Sequence, residues 1–198
     1  MKQMKMILAS GNRKKLAELS RILEPMGFNV IPKDEAGVDF DPEENGATFA
    51  ENAKIKAEAI CKAVGEAAVA DDSGLCVDAL NGAPGIYSAR YAGENASDSD
   101  RIDKLLSELA EVSAENRTAR FVSAVCICFP DGSMIEAEGV CEGMIAFERR
   151  GNGGFGYDPV FLVGEKSFAE LSAEEKDALS HRGKALRALQ EKLEKAGF

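Results

Sequence analysis

The feature that most constrains the fold is the nearly all-apolar run Phe121–Phe129. A strand this apolar has no face suited to water, so we expect it to be buried on both faces in the centre of a sheet. The turn sequence Pro130-Asp131-Gly132-Ser133 follows, and Met134–Cys141 then predicts a returning strand. The chain therefore builds its sheet around one buried strand and a hairpin.

Strand and helix patterns alternate along the rest of the chain. Further short strands are predicted at Met6–Ala9, Phe28–Ile31, Ala67–Ala70 and Val160–Val163. Helices are predicted after Asn12, after a Thr48/Glu51 capping box, over Ser99–Ala110, and from starts at Ser172 and Ser180. This mixture predicts an α/β fold with a mixed sheet. The length of 198 residues and the lack of a linker predict a single domain, 1–198, with two lobes around a substrate cleft.

Composition argues against several classes of protein. No apolar run approaches the ~20 residues of a membrane span, and Met6–Ala9 is too short for a signal peptide, so we expect a cytoplasmic protein. The net charge of −10 disfavours binding to a nucleic-acid backbone. The five cysteines form no Cys-x-x-Cys pair and are predicted to be free thiols, with Cys126 and Cys128 on one strand face.

Two predicted helix starts carry cations where the helix dipole disfavours them. Arg13-Lys14-Lys15 follows Ser10-Gly11-Asn12, and His181, Arg182 and Lys184 follow Ser180. A cation in a first turn typically loses ~0.3–1 kcal/mol. One such lysine would be explained by solvation, whereas two such starts predict a polyanionic ligand. Free backbone N–H groups, a close backbone at Gly11 and a lysine would form the phosphate cradle.

Acidic residues supply the complementary part of the predicted site. Asp71-Asp72 follows a predicted strand directly, and Ser73-Gly74 is expected to turn the chain away. Because strand neighbours point to opposite faces, one of the two carboxylates should face the cleft. Glu44 precedes the second helix and could join it, and Mg²⁺ suits one or two carboxylates plus substrate phosphates. Lys56 lies at the edge of the second helix's apolar stripe and points either to solvent or into the cleft.

The segment Gly151-Asn152-Gly153-Gly154-Phe155-Gly156 has the spacing of a dinucleotide-binding motif, but it does not open a helix. We interpret its glycines as allowing the backbone close to a ligand, with Phe155 or Tyr157 available to stack on a base. The sequence contains no Walker A motif.

Six sequence blocks occur here in the order typical of one family. They are Ser10-Gly11-Asn12-Arg13-Lys14-Lys15, Thr48-Phe49-Ala50-Glu51-Asn52-Ala53, Ala70-Asp71-Asp72-Ser73-Gly74-Leu75, Gly82-Ala83-Pro84-Gly85-Ile86-Tyr87-Ser88-Ala89-Arg90-Tyr91, Gly153-Gly154-Phe155-Gly156-Tyr157-Asp158-Pro159 and Ser180-His181-Arg182-Gly183-Lys184-Ala185-Leu186. From about Ile7 to Leu186 the chain resembles the non-canonical purine nucleoside triphosphate pyrophosphatases, also called the Ham1 or inosine triphosphatase family.

The resemblance implies Mg²⁺-dependent hydrolysis of ITP, dITP and XTP to the monophosphate and pyrophosphate, by a two-lobed homodimer with a long mixed sheet. It implies that Asp72 is the general base and a metal ligand, and that Glu44 is a second ligand. The substrate-binding residues that it implies are Ser10, Gly11, Asn12, Arg13, Lys14, Lys15 and Lys56 for the phosphates, Ser73, and Phe155, Gly156, Tyr157, Asp158, Lys176, His181 and Arg182 for the base and sugar. Among these, His181 and Arg182 are candidate donors to a 6-oxo group.

Two alternatives stay open at this point. A pyrophosphatase of broader nucleotide or modified-pyrimidine specificity would keep the same machinery and change only the residues that contact the base. A non-hydrolytic nucleotide-binding regulator would keep the phosphate cradle without needing Asp72 or Glu44.

Overall fold

The computed structural model describes residues 4–198, and over these residues the chain has an α/β fold. The strands are β1 Met4–Leu8, β2 Phe28–Pro32, β3 Ala68–Val77, β4 Thr118–Cys128, β5 Met134–Ile145, β6 Phe161–Val163 and β7 Lys166–Ser167. The helices are α1 Arg13–Leu23, α2 Phe49–Val64, α3 Asp98–Glu108, α4 Ala173–Leu179 and α5 His181–Ala196, and short 3-10 turns lie between several of these elements.

The strands form one mixed sheet in the order β2-β1-β3-β4-β5-β6-β7. Strand β1 pairs in parallel with β2 and with β3, whereas β6 pairs antiparallel with β5 and with β7. The predicted α/β class with a mixed sheet is therefore confirmed.

The chain divides into two compact units. Unit 1 comprises Met1–Asp72, Ser123–Gly139 and Arg182–Phe198, and unit 2 comprises Ser73–Val122 and Val140–His181. Each unit has its own hydrophobic core. The predicted substrate cleft stays a prediction.

Unit 1 buries both faces of its strands because their apolar residues do not alternate with polar ones. Along β1, Met6 and Leu8 pack into one core cluster, whereas Ile7 packs into another on the opposite face. The first cluster takes leucines from α1 and α5, and the second takes small and branched residues from α2. Strand side chains alternate between faces, so helices on both sides are needed to cover strands of this composition.

The all-apolar run in β4 follows the same rule. Val125 and Ile127 enter the cluster lined by α1 and α5, while Cys126 and Cys128 enter the α2 cluster. The prediction of a strand buried on both faces is confirmed, as is the prediction of free cysteine thiols on one face.

Unit 2 places its core on one side of β3, β4 and β5. Leu75 and Phe121 from the strands meet Ile102 and Leu105 from α3, and Phe161 and Phe168 complete the cluster. Phe121 packs against Phe161 edge-on, with ring centroids 4.6 Å apart. This cluster fixes the elements that carry the glycine-rich loop and α4.

Two local predictions were wrong. Strand β3 does not end at Ala70 but continues to Val77, so Asp71-Asp72-Ser73-Gly74 is strand and not a turn. The strand continues because Leu75 and Val77 are core residues of unit 2 and because both aspartates have buried cationic partners. At the start of α2, Thr48 accepts from the Glu51 N–H as predicted, but the Glu51 carboxylate accepts from Ala47 N–H, not from Thr48 N–H.

Membrane insertion would need a helix of sufficient length and apolarity, and none is found among residues 4–198.

Candidate active site

Asp71 and Asp72 lie side by side within β3, and the alternation of the strand sends their carboxylates to opposite faces. Asp71 follows Val69 onto the face covered by α1 and α5, and Asp72 follows Ala70 onto the face covered by α2. Two adjacent acids therefore have separate surroundings in unit 1.

Asp71 is the centre of a buried ion network. Its side chain has no solvent exposure; one carboxylate oxygen accepts from Arg182 at 3.0 Å and from Lys15 at 2.9 Å, and the other accepts from the Ser123 hydroxyl at 2.6 Å. Burial by itself raises the pKa of the Asp71 carboxyl, but Arg182 and Lys15 more than offset it, and the pKa lies well below its ordinary value. Asp71 is therefore a permanent anion that holds two cations.

Arg182 joins α5 to this network. Its guanidinium is 3% exposed and donates to Glu18 on α1 as well as to Asp71, so both terminal nitrogens are held by carboxylates of unit 1. Burial lowers the pKa of Arg182, but the two carboxylates outweigh burial and raise it, so the cation is permanent. These contacts give Arg182 a definite role in fixing α5 against β3 and α1. The predicted donation to a 6-oxo group stays a prediction.

Asp72 forms the second carboxylate centre, together with Lys56 and Glu44. Lys56 Nζ donates to Asp72 Oδ1 at 2.9 Å and to the Asp71 carbonyl at 3.2 Å, and it lies 3.4 Å from Glu44 Oε2. Burial raises the pKa of the Asp72 carboxyl, and Lys56 opposes this only in part. Such a carboxylate is a better proton acceptor than an exposed one, as a general base requires. The sequence left open whether the Lys56 side chain points to solvent, and the structure shows that it is buried against Asp72.

The Asp72–Glu44 arrangement fits a hard divalent cation. Asp72 Oδ2 is buried, and within residues 4–198 it has no hydrogen-bond partner. A buried carboxylate oxygen without a partner is costly unless something else binds it. No group of three or more His, Cys, Asp or Glu side chains in the same residues is placed to hold a metal alone. Two carboxylates with phosphate and water oxygens would suit Mg²⁺, which commonly binds in this way.

The start of α1 is built differently from the predicted cradle of free N–H groups. Asn12 caps the helix: its side-chain oxygen accepts from Lys14 N–H at 3.0 Å and Lys15 N–H at 3.2 Å, and its own N–H donates to Ser10. Two of the predicted donors are thus used within the chain. Arg13 points to the surface and pairs with Asp34 and Glu35. The first turn nevertheless lacks acidic residues, and Gly11 is exposed.

Unit 2 carries the second group of predicted residues, around the glycine-rich loop. The Asp158 carboxylate is buried and accepts from Phe155 N–H at 3.0 Å and from Lys176 Nζ at 2.7 Å. Gly154 has φ +67°, and a Cβ there would lie 2.0 Å from Asp158 Oδ2. Only glycine can lie this close to the Asp158 carboxylate, so the backbone of the loop packs directly against it.

Aromatic rings complete this cluster. Lys176 Nζ lies 4.8 Å from the centroid of the partly exposed Phe155 ring. His181 stacks on Phe121 with centroids 4.6 Å apart and planes 13° apart. Tyr157 is buried in the core, and its hydroxyl donates to the Ser88 carbonyl, which leaves Phe155 as the ring able to stack on a base. Ser73 is partly buried in β3 of the same unit.

Sequence reasoning missed three residues that support these clusters. Ser123 and Glu18 belong to the Asp71 network, and Asp98 on α3 accepts from Gly156 N–H at 2.8 Å. Ser123 was detectable, because it is a polar residue inside the apolar run of β4 and such residues need a buried partner. Glu18 and Asp98 are acidic helix residues that resemble many solvated ones, so the sequence gives no reason to select them.

Known proteins resemble this chain over nearly its whole length. The sequence profile of the Ham1 family matches residues 6–192. The chain belongs to the Ham1 family. A protein of Haemophilus influenzae named dITP/XTP pyrophosphatase is 51% identical, over 98% of this chain and 100% of its own. A Bacillus subtilis protein of the same name is 49% identical, over 95% and 96%.

A solved structure described as a HAM1 protein from Coxiella burnetii superimposes with a TM-score of 0.88 at 44% identity, covering 98% of this chain and 100% of that one. The Ham1 match includes the predicted site residues of both units, from Ser10 to Arg182. The match in sequence and the match in fold thus both extend over the two units.

Proposed function

We propose that the protein hydrolyses deaminated purine nucleoside triphosphates (ITP, dITP and XTP) to the nucleoside monophosphate and pyrophosphate. It is an enzyme, a nucleoside triphosphate pyrophosphohydrolase, which removes these nucleotides from the pool. The observation that carries the proposal is the Asp72 carboxylate, which is held on one oxygen by Lys56 and has no hydrogen-bond partner on the other within residues 4–198. Its pyrophosphatase relatives, about half identical, have the same chemistry in their names.

Asp72 is the proposed general base. The oxygen not used by Lys56 suits it to orient a water molecule and take its proton as the water attacks the α-phosphorus. Such proton transfer typically contributes about 10²–10⁴-fold in rate. Asp71 cannot do this, because its low pKa and three donors keep it ionised and occupied.

Charge on the pyrophosphate leaving group needs cations, and unit 1 supplies lysines next to the carboxylates. Lys56 and Lys15 are both fixed by contacts with β3, so their charges are oriented before substrate arrives. Asp72 and Glu44 would hold Mg²⁺ together with the phosphates. When bound, Mg²⁺ would neutralise phosphate charge and polarise the P–O bonds.

Base recognition is proposed for unit 2. Phe155 would stack on the purine, and Lys176, held by Asp158, would place a donor beside it. Donors aimed at a 6-oxo group would be left unpaired by the 6-amino group of adenine, which is a strong basis for discrimination. His181 remains the proposed donor for this contact, whereas both terminal nitrogens of Arg182 are already held by Glu18 and Asp71, which argues against the predicted contact of Arg182 with the base.

The test is a pyrophosphate-release assay with Mg²⁺ over ITP, dITP, XTP, ATP, GTP, dUTP and TTP. The proposal requires strong release from the first three and almost none from ATP and GTP. Equal turnover of all purines would replace it with the broader pyrophosphatase. Nucleotide binding without turnover would indicate a regulator. Release of phosphate in place of pyrophosphate would move the attack to the γ-phosphorus.

The proposal includes a cytoplasmic homodimer. Exposed aromatic rings in unit 2, Tyr87 at 55% and Phe147 at 61%, are the kind of residue that interfaces bury. Sedimentation equilibrium at several protein concentrations would distinguish a dimer from a monomer, and cell fractionation would test the location.

A further inference from the structure

Glu44 is the second carboxylate that contacts Lys56 beside Asp72, and it lies in a segment without regular secondary structure. Residues 38–46 form neither helix nor strand, and most of them are exposed. A free segment of this kind samples many backbone conformations, and ordering it costs conformational entropy. Something outside the segment must therefore hold it if Glu44 is to stay 3.4 Å from Lys56.

One end of the segment is fixed by Asn52 on α2. Asn52 is 2% exposed, and its side-chain oxygen accepts from Gly46 N–H at 2.8 Å. A Cβ on Gly46 would lie 2.7 Å from that oxygen and 2.7 Å from Glu51 Cβ, so the contact is close on both sides. Because Asn52 is buried, its hydrogen bond to Gly46 acts as a joint that holds this part of the segment in place.

The other end is fixed by Lys33. Its ammonium group is buried, donates to the Phe40 carbonyl at 2.8 Å and lies 3.2 Å from Asp41 Oδ1. Only a short stretch that contains Glu44 lies between this anchor and Gly46. The segment is therefore held at both ends by side chains that do not belong to it.

Asn52 and Lys56 are four residues apart on α2, so they lie on the same helix face. The helix thus sets two positions at once: Asn52 fixes the loop backbone two residues after Glu44, and Lys56 meets the Glu44 carboxylate one turn later. A loop freed at Gly46 would no longer hold Glu44 at a defined distance from Lys56 and Asp72.

We propose that Asn52, through its hydrogen bond to Gly46, is the positioning residue that brings Glu44 to the Asp72–Lys56 centre and so sets the affinity of that centre for a divalent cation. This rests on the proposed function, in which Glu44 and Asp72 hold the metal ion. Outer residues that orient metal ligands typically contribute about 10–100-fold to metal affinity.

The test compares the parent protein with Asn52→Ala and Gly46→Ala, which break the same joint from opposite sides, and with their double mutant. The matched control is Thr48→Ala, which weakens the start of α2 without touching Gly46. Two quantities are measured: hydrogen exchange of the Gly46 amide in the metal-free protein, and Mn²⁺ binding by electron paramagnetic resonance in the presence of a non-hydrolysable ITP analogue. The kinetic counterpart is the half-saturating Mg²⁺ concentration, compared with kcat at saturating Mg²⁺.

We expect both single mutants to exchange the Gly46 amide faster and to bind Mn²⁺ about tenfold more weakly or worse, with kcat at saturating Mg²⁺ changed far less. The double mutant should be no worse than either single mutant, because one joint is lost only once. Thr48→Ala should keep the parent affinity. If Asn52→Ala does not fold, Gly46→Ala carries the comparison alone.

Faster Gly46 exchange with unchanged Mn²⁺ affinity would overturn the positioning role, and so would equal losses in Asn52→Ala and Thr48→Ala. If the Gly46 amide exchanged as slowly in the mutants as in the parent protein, the hydrogen bond between Asn52 and Gly46 would not be what holds the segment. A parent protein that binds no Mn²⁺ would contradict the metal role in the proposed function, and the positioning role with it.

Discussion

Removing the Arg182 guanidinium is expected to destabilise unit 1 strongly. The change Arg182→Met keeps most of the side-chain volume and deletes the charge that holds two carboxylates, Asp71 with no exposure and Glu18 with 10%. Breaking a buried ion pair from one side typically costs about 3–5 kcal/mol, because the remaining charge is left buried. Lys15 and Ser123 still hold Asp71, so the loss should be near the lower end, about 3 kcal/mol.

For a chain of this length a loss of about 3 kcal/mol lowers Tm by roughly 6–12 °C. The assay is urea unfolding followed by circular dichroism, with the midpoint and the slope measured for each variant, and a thermal melt beside it. An unchanged slope with a lower midpoint would show that stability, and not the compactness of either state, has changed. Glu18→Gln combined with Arg182→Met in a double-mutant cycle isolates the pair itself.

The chain offers a matched control in Arg13, which also contacts two carboxylates but is 55% exposed. Surface ion pairs are typically worth about 0–1 kcal/mol, so Arg13→Met should lose less than about 1 kcal/mol. Equal losses from Arg13→Met and Arg182→Met would refute the reasoning, since burial would then make no difference to the contribution of the guanidinium.

Three further outcomes are expected. Asp72→Asn should keep the fold, because the amide still accepts from Lys56, and lose about 10²–10⁴-fold in kcat; near-parent turnover would remove Asp72 from the base role. Chelation with EDTA should abolish pyrophosphate release without lowering Tm by more than a few degrees, and full activity after chelation would contradict the use of a metal ion. Burial raises the pKa of Cys126 to about 12 and of Cys128 to about 11, whereas unfolded thiols ionise near pH ~8.5. The stability gained from keeping them protonated is therefore complete below pH ~8.5 and lost as the pH rises through 11 to 12, and Cys126→Ala should flatten that decline in unfolding free energy.

The sequence predicts the sheet well where composition alone decides the outcome. The β4 run has no polar face, so its burial between two helix layers follows directly. The helix starts at Asn12, Thr48 and Ser172 also follow from local chemistry, because a capping side chain satisfies N–H groups within its own turn.

Prediction from sequence fails where the secondary structure of a segment depends on partners that are distant in the sequence. Asp71-Asp72-Ser73-Gly74 has the composition of a turn, yet Arg182 and Lys56 make the two acids acceptable inside a strand. Both partners are remote in sequence, so no local pattern contains them. The candidate site residues follow mainly from the ordered motifs of a family, whereas their contacts depend on partners that the fold brings together.

The way the chain is divided between the two units has a consequence for synthesis. Unit 1 begins with the first strand but also needs Arg182–Phe198, which supply α5 and the Arg182 contact to Asp71. Unit 2 is complete in sequence at His181. Chains emerge from the ribosome N-terminus first, at about 5–20 residues per second. The unit that starts first is therefore the unit that finishes last, and a nascent chain must keep Asp71 without its Arg182 partner until the segment that forms α5 has been synthesised.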